Sequence, residues 1–438
     1  MNNRLIWSLL LAGMSLGTAW AIRGQFGHEQ GAAWAGGFGA IAIILLAKRP
    51  DWYARLFPAT LASALGWGVT GMISYGIVVG YGRSTDFGNA YYGLGMLFLI
   101  GALFGFLGGG LFGLALSSSR KKPVQWHLLM AELVAAGVIG YYLLIEQLGY
   151  LMTPPRSEAW AVCFGMAASL LWYLVRNGYG SALRVAFFSA LGAGFGFGFG
   201  NFLQTMGHVS EIAFNFWNVM EYSIGFFGGI GMAYGTFTSE WETEEESGTT
   251  PIAPLLLVAL VIPFLVWEQS VTDKRLIETL EPLGGDSGTA AFVRWVALAL
   301  LLAFAVWSYR RFAGKVATYA DVSAFFFLNL ALYTAYSLII TGAFMSLYRP
   351  EQYLYIVNWL VLLVWMKKVQ TPFASEDFSP REWTLGTLAT LVFVGGLAYV
   401  ASQSHGEIKG AHNRFEISAP ASVSGVLAPS PAGSQSPR

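Results

Sequence analysis

The sequence is poor in charged residues. Only 11% of its 438 residues are Asp, Glu, Lys or Arg, whereas soluble globular proteins carry roughly a quarter. Lys and Arg together number 25, as do Asp and Glu. Because neither sign is in excess, no basic surface indicates a nucleic-acid partner, and we expect none.

Cysteine and long polar segments are also scarce. The single cysteine, Cys163, excludes an internal disulfide framework and a cysteine-based metal site. No segment between the apolar runs is long enough to form a soluble domain. We therefore expect the function to lie in the apolar runs and the short loops that join them.

Long apolar runs are abundant. Apolar residues make up 55% of the chain, and the runs have the length of transmembrane helices. The sequence predicts an all-α polytopic membrane protein with 13 transmembrane helices. The predicted helices cover residues 5–22, 31–47, 59–80, 91–117, 127–152, 158–176, 181–204, 217–237, 252–270, 290–309, 322–347, 353–367 and 383–402.

Charge asymmetry predicts the orientation. With the N-terminus in the cytoplasm, most Lys and Arg residues of the loops lie on the cytoplasmic side, as the positive-inside rule requires. The cations left on the outer side are Arg23, Arg83, Arg156, Lys274, Arg275 and Arg349. We expect an integral protein of a bacterial inner membrane, with an extracytoplasmic C-terminus.

The N-terminal segment allows a second interpretation. A basic residue, an apolar stretch and Ala19 and Ala21 also fit a cleavable signal peptide. The internal repeats described next favour a retained first helix instead.

Three weak parallel repeats of four helices are predicted, because Glu-Gln pairs recur roughly 120 residues apart at corresponding positions. Four helices are an even number, so each copy begins on the same side of the membrane, and three copies could ring a central axis. The predicted organisation is repeat 1 (residues 1–118), repeat 2 (119–250, ending in an acidic cytoplasmic linker, 240–250), a degenerate repeat 3 (251–370), a linker and extra helix (371–402) and a disordered extracytoplasmic tail (403–438).

Glycines form stripes at intervals of four residues. Gly101, Gly105, Gly109 and Gly113 lie on one face of the fourth predicted helix, and Gly192, Gly196 and Gly200 repeat the spacing in the seventh. Such stripes let helix backbones approach closely in a membrane. We therefore predict tight helix packing there.

Ionisable and amide side chains gather at the predicted outer face, and an ionisable residue within a membrane is a functional candidate. Three Glu-Gln pairs would converge on one outward-facing vestibule if the repeats ring an axis. The candidate substrate-binding residues are Arg23, His28, Glu29, Gln30, Arg83, Asp86, Asn89, Glu146, Gln147, His208, Asn215, Glu221, Glu268 and Gln269. Solvated helix ends and local ion pairs would explain the same residues without a site.

Three functions fit this pattern. The first is a transporter for a small polar solute such as a sugar or organic anion, with proton coupling through a membrane glutamate as an option. The second is a membrane-embedded transferase or hydrolase in which His28 is the general base, Glu29 orients it and Arg23 binds an anionic substrate. The third is a non-catalytic partner subunit that docks through the acidic linker. We expect no cofactor and no metal site, and the sequence leaves the solute and the oligomeric state open.

Overall fold

The computed structural model describes residues 3–243, 248–346, 348–376 and 379–416. The centre of the predicted acidic linker, residues 244–247, and the predicted disordered tail from residue 417 onward lie outside the described residues. The chain is 76% helical, and the described residues contain no strand. The predicted all-α class is confirmed.

The helices follow one another with short connections. In the first half they are α1 Asn3–Arg23, α2 His28–Ala47, α3 Pro50–Tyr53, α4 Leu56–Thr70, α5 Gly76–Tyr81, α6 Phe87–Ser117, α7 Trp126–Tyr141, α8 Glu158–Arg176, α9 Gly180–Val209 and α10 Phe216–Phe237. In the second half they are α11 Ile252–Leu256, α12 Ile262–Ser270, α13 Asp273–Leu280, α14 Ser287–Phe312, α15 Tyr319–Thr341, α16 Pro350–Trp365 and α17 Pro380–Gln403. Two π-helical turns, Tyr142–Gln147 and Leu257–Val261, extend α7 and join α11 to α12.

Ten helices in the described residues are long and apolar enough to cross a membrane. This set counts α7 with its π-helical turn, and α11 and α12 with theirs, as single helices. It leaves out the shorter α4 and α16, and α10. The chain therefore has the character of a multi-pass membrane protein.

An inner bundle is surrounded by helices with exposed apolar surfaces. Helices α1, α2, α4, α6, α9 and α10 pack against one another and form the inner bundle. On outer helices, large apolar side chains are open, with Ile139 63%, Phe292 69% and Val392 76% exposed. Such surfaces suit the acyl chains of a bilayer, where apolar exposure carries no cost.

Glycine stripes join the inner helices at close range. A β-carbon at Gly105 of α6 would lie 2.1 Å from the carbonyl oxygen of Ser189 in α9. A β-carbon at Gly192 of α9 would lie 2.2 Å from the carbonyl oxygen of Phe227 in α10. Both distances are too short for any side chain, so the predicted tight packing is confirmed at both stripes.

One predicted helix is broken. The predicted span 59–80 is divided into α4, which ends at Thr70, and α5, which begins at Gly76. The Thr70 hydroxyl donates to the Gly66 and Trp67 carbonyl oxygens, and Gly71 lies so close to α2 that a β-carbon there would be 2.4 Å from the His28 carbonyl oxygen. The prediction of a continuous helix over residues 59–80 is therefore wrong.

Part of the segment predicted to be disordered is ordered. Residues 404–416 follow α17 and lie against α5 and the start of α6. Hydrogen bonds from their backbone, described below, fix them there. The prediction of disorder therefore does not hold for residues 404–416.

Candidate functional site

A cavity of about 500 Å³ opens at the end of the inner bundle where α1 turns into α2. We call this end the cavity face. Arg23 comes from the end of α1, His28 and Glu29 from the first turn of α2, Tyr75 from the break between α4 and α5, and Glu221 from α10. The break therefore brings a side chain from the middle of an apolar run into a polar cavity.

Arg23 and Glu221 form a buried ion pair at the base of the cavity. Arg23 Nη1 lies 3.2 Å from Glu221 Oε1 and 3.0 Å from Oε2. The two side chains are only 2% and 7% exposed. Removing either partner would leave an uncompensated charge in a poorly solvated place.

Tyr75 completes this network. Arg23 Nη1 donates to the Tyr75 hydroxyl at 2.8 Å, and that hydroxyl donates to Glu221 Oε1 at 2.7 Å. The guanidinium also lies over the ring of Trp20, 5.0 Å from its centroid. The three polar groups thus form a closed triangle that holds α1, α10 and the α4–α5 break together.

His28 extends the network toward the mouth of the cavity. Its Nδ1 lies 3.0 Å from Arg23 Nη2. Since arginine only donates hydrogen bonds, Nδ1 is the acceptor and the ring proton of a neutral His28 is on Nε2. While this bond is made, neither ring nitrogen can accept a proton from a substrate, so the geometry does not suit His28 as a general base.

Aromatic side chains close the bundle beneath the ion pair. The rings of Trp20 and Trp67 lie 4.8 Å apart, and the Trp67 ring is 6.3 Å from that of Phe104. Phe197 connects the Tyr75 ring, at 5.0 Å, to the Phe104 ring, at 6.0 Å. We call Trp20, Trp67, Phe104 and Phe197 the aromatic layer.

Trp67 is fully buried in this layer, and glycines make room for it. β-carbons at Gly36 of α2, Gly108 of α6 and Gly228 of α10 would lie 2.5, 2.2 and 2.9 Å from Trp67 ring atoms. Three different helices thus lack side chains where this one indole lies.

The structure brings five of the residues predicted from the sequence to this cavity. They are Arg23, His28, Glu29, Asn215 and Glu221. Sequence reasoning left Tyr75, Trp217 and Asn218 out of the proposed site, although they also line it. Tyr75 gave no signal beyond Gly71 and Gly76 on either side of it, because it lies within an apolar run.

Three predicted site residues, Arg83, Asp86 and Asn89, do not line the cavity and instead form hydrogen bonds with other parts of the chain. Asn89 Oδ1 accepts from the backbone nitrogens of Arg414 and Phe415, at 2.6 and 2.7 Å, and its Nδ2 donates to the Phe415 carbonyl oxygen at 3.1 Å. Arg83 donates to the Lys409 carbonyl oxygen, while Asp86 caps the N-terminus of α6. These side chains anchor the C-terminal segment and a helix end.

The predicted convergence of the three Glu-Gln pairs is not found. Glu29 lines the cavity, but Gln30 does not. The π-helical turn carries Glu146 and Gln147 on an exposed surface. There Glu146 accepts a hydrogen bond from Tyr141. Glu268 and Gln269 lie exposed in the last turn of α12.

His208 also lies away from the cavity. It is exposed near the end of α9, and its Nδ1 is 2.8 Å from the Gln204 carbonyl oxygen. Among the described residues, no group of three or more His, Cys, Asp or Glu side chains is arranged to hold a metal ion.

Comparison with known proteins adds no functional assignment. The chain matches no protein-family model, no curated protein and no solved structure.

Proposed function

We propose that the chain is a membrane transporter (permease) for a small polar solute that enters through the cavity. The observation that carries the proposal is the buried Arg23–Glu221 pair, held at the cavity base by Tyr75 from a broken helix. Ionisable groups within a membrane are costly and typically line solute or ion pathways. Broken helices likewise form substrate sites in many transporters, where irregular backbone lines a cavity.

In this proposal the cavity faces the outside of a bacterial inner membrane. The positive-inside rule supports this orientation, with the N-terminus in the cytoplasm and the C-terminus outside. The solute would then enter from the extracytoplasmic side, and the aromatic layer would block its path to the cytoplasm.

A second cavity supports alternating access. At the opposite end of the inner bundle, a cavity of about 700 Å³ is lined by residues that include Arg49, Lys122, Tyr179 and Ser181. The two cavities lie at the two ends of the same helices, with the aromatic layer between them. A movement of the helices that hold Trp67 would close one cavity and open the other.

The proposed threefold repeat accounts for the origin of the cavity residues. Arg23, His28 and Tyr75 belong to proposed repeat 1, Arg156 and Glu221 to repeat 2, and Arg349 to repeat 3. Contributions from all three copies are what three parallel repeats around an axis would give. We keep the repeats, and a total of 13 membrane helices, as part of this proposal.

Glu221 is the proposed proton-coupling group. It is buried within a helix of the inner bundle and lines the cavity, whereas Glu146 lies on an exposed turn. Protonation of Glu221 would release Arg23 from its ion pair, which would couple a proton to a change at the cavity base. No cofactor is needed for this step.

Neither alternative function has comparable support. An enzyme that uses His28 as its base conflicts with the hydrogen bond from Arg23 to Nδ1. For a partner subunit, the acidic linker is the main argument, and its centre lies outside the described residues.

Uptake by proteoliposomes tests the proposal. Labelled succinate, glutamate and glucose would be supplied separately to vesicles that contain the full chain, with and without an inward proton gradient. We expect at least one solute to enter faster than into protein-free vesicles, E221Q to abolish this uptake and E146Q to retain it. Equal entry into both kinds of vesicle for all three solutes would overturn the proposal, and uptake lost in E146Q but not E221Q would overturn the role of Glu221.

A further inference from the structure

The charges around the cavity do not balance. Glu221 compensates Arg23 through the ion pair described above. Arg156 and Arg349 also line the cavity, and neither has a carboxylate within 4.0 Å among the described residues. Besides Glu221, Glu29 is the one acidic residue in the lining.

A further cation lies close to one of the lining arginines. The pKa of Arg275, in the short helix α13, is lowered by burial and by the neighbouring Arg349. Two cations near each other repel, and an anion between or beside them would relieve this repulsion. Arg23, Arg156 and Arg349 thus line one cavity, and Arg275 lies close enough to Arg349 to interact with it.

The remaining polar groups add hydrogen-bond donors. In its neutral form His28 has its proton on Nε2, as its bond from Arg23 requires. The N-terminus of the 20-residue helix α2 also meets the cavity, and Gly27 provides no side-chain cap for its first backbone N–H groups. A helix N-terminus carries a partial positive charge, which acts on a bound anion together with the charges of the two arginines.

We propose that the solute is a small anion whose carboxylate or phosphate oxygens are bound by Arg156 and Arg349 beside the start of α2. This inference rests on the proposed function and specifies the solute class. Arginine is the side chain that best matches such oxygens, because its planar guanidinium donates two parallel hydrogen bonds. The Arg23–Glu221 pair lies beneath the bound group and has no net charge to attract it.

Binding is tested with the purified full chain in phosphatidylcholine nanodiscs at constant ionic strength. The probes are succinate, inorganic phosphate and glucose, with chloride as the salt control, and the readout is Tm as a function of ligand concentration. We expect succinate or phosphate to raise Tm in a saturable way, since a ligand that binds only the folded state stabilises it. Glucose and chloride should leave Tm unchanged.

Charge-removing variants identify the residues. R156Q and R349Q should each weaken binding of the stabilising anion at least tenfold. K274Q removes an exposed cation that lies outside the cavity and should bind like the unmodified chain. Stabilisation by glucose alone, equal stabilisation by chloride, or anion binding that both arginine variants retain would overturn the inference.

The source of the anion and the fate of the proposed function can be separated. If phosphatidylglycerol in the nanodiscs raises Tm through Arg156 and Arg349 while soluble anions do not, the oxyanion site stands but its occupant is a lipid, which contradicts solute transport. If glucose is transported and no anion binds, the transport function stands and the solute class is wrong.

Discussion

Arg23 Nη1 lies 3.0 Å from Glu221 Oε2, and this ion pair joins the end of α1 to α10 across 198 positions of the chain. The ion pair lies next to the break between α4 and α5. From that break the Tyr75 hydroxyl forms hydrogen bonds with both Arg23 and Glu221. The pair is thus a structural link between three elements as well as the base of the cavity.

Removing both partners of the ion pair should destabilise the protein less than the sum of the two single removals. E221Q leaves the Arg23 guanidinium buried without its carboxylate, for which we expect a loss of about 3–5 kcal/mol in the free energy of unfolding. The double variant R23Q/E221Q leaves no unpaired charge and should be less destabilised than the sum of the single variants. Denaturant unfolding of the four proteins measures this coupling, and strictly additive losses would show that the pair contributes no mutual stabilisation.

The Tyr75 hydroxyl should matter as well. Y75F removes one donor and one acceptor from the buried triangle, and we expect it to lower the free energy of unfolding by about 1–3 kcal/mol. Y142F is the matched control, because Tyr142 is 58% exposed on the surface. Equal stability of Y75F and Y142F would contradict the role given to the hydroxyl.

Composition and apolar runs were sufficient to predict the helical membrane class, and glycine spacing was sufficient to predict close helix packing at the stripes, although not that α6 would pack against α9. They could not predict the break after Thr70, which lies where α2 comes so close that a β-carbon at Gly71 would be 2.4 Å from the His28 carbonyl oxygen. The sequence of an apolar run does not indicate which neighbouring helix will pack against it.

The candidate site was likewise predictable from the sequence only in part. Arg23 and Glu221 were selected because polar residues beside apolar runs are costly, but their pairing depends on which helices meet. Asn89 was selected by the same reasoning, yet it binds the backbone of residues 414–415. A polar side chain near a membrane surface therefore indicates that it has a hydrogen-bond or ion-pair partner, but the sequence does not identify that partner.

This role of Asn89 can be tested directly. N89A removes three hydrogen bonds to the backbone of Arg414 and Phe415, so residues 404–416 should detach more often from α5 and α6. We expect faster tryptic cleavage after Lys409 and Arg414 with little change in the overall Tm. S84A, which removes one hydrogen bond to Asn413, should have a smaller effect. Unchanged cleavage in N89A would mean that other contacts hold the segment.

The space around Trp67 gives the last prediction. A β-carbon at Gly108 would lie 2.2 Å from two atoms of the Trp67 indole, whose ring is also confined by Gly36 and Gly228. G108A must therefore displace a buried ring from between three helices, and we expect a loss of about 1–3 kcal/mol from overpacking. G95A is the control in the same helix, because no atom lies within 4 Å of a β-carbon there, and alanine favours a helix over glycine by about 1 kcal/mol. Unfolding of both variants measures the difference, and equal stability of the two variants would contradict the packing argument.

The same pair of variants tests whether the aromatic layer moves during transport. If it does, G108A should slow uptake by proteoliposomes beyond what its lower stability explains, whereas G95A should leave uptake unchanged.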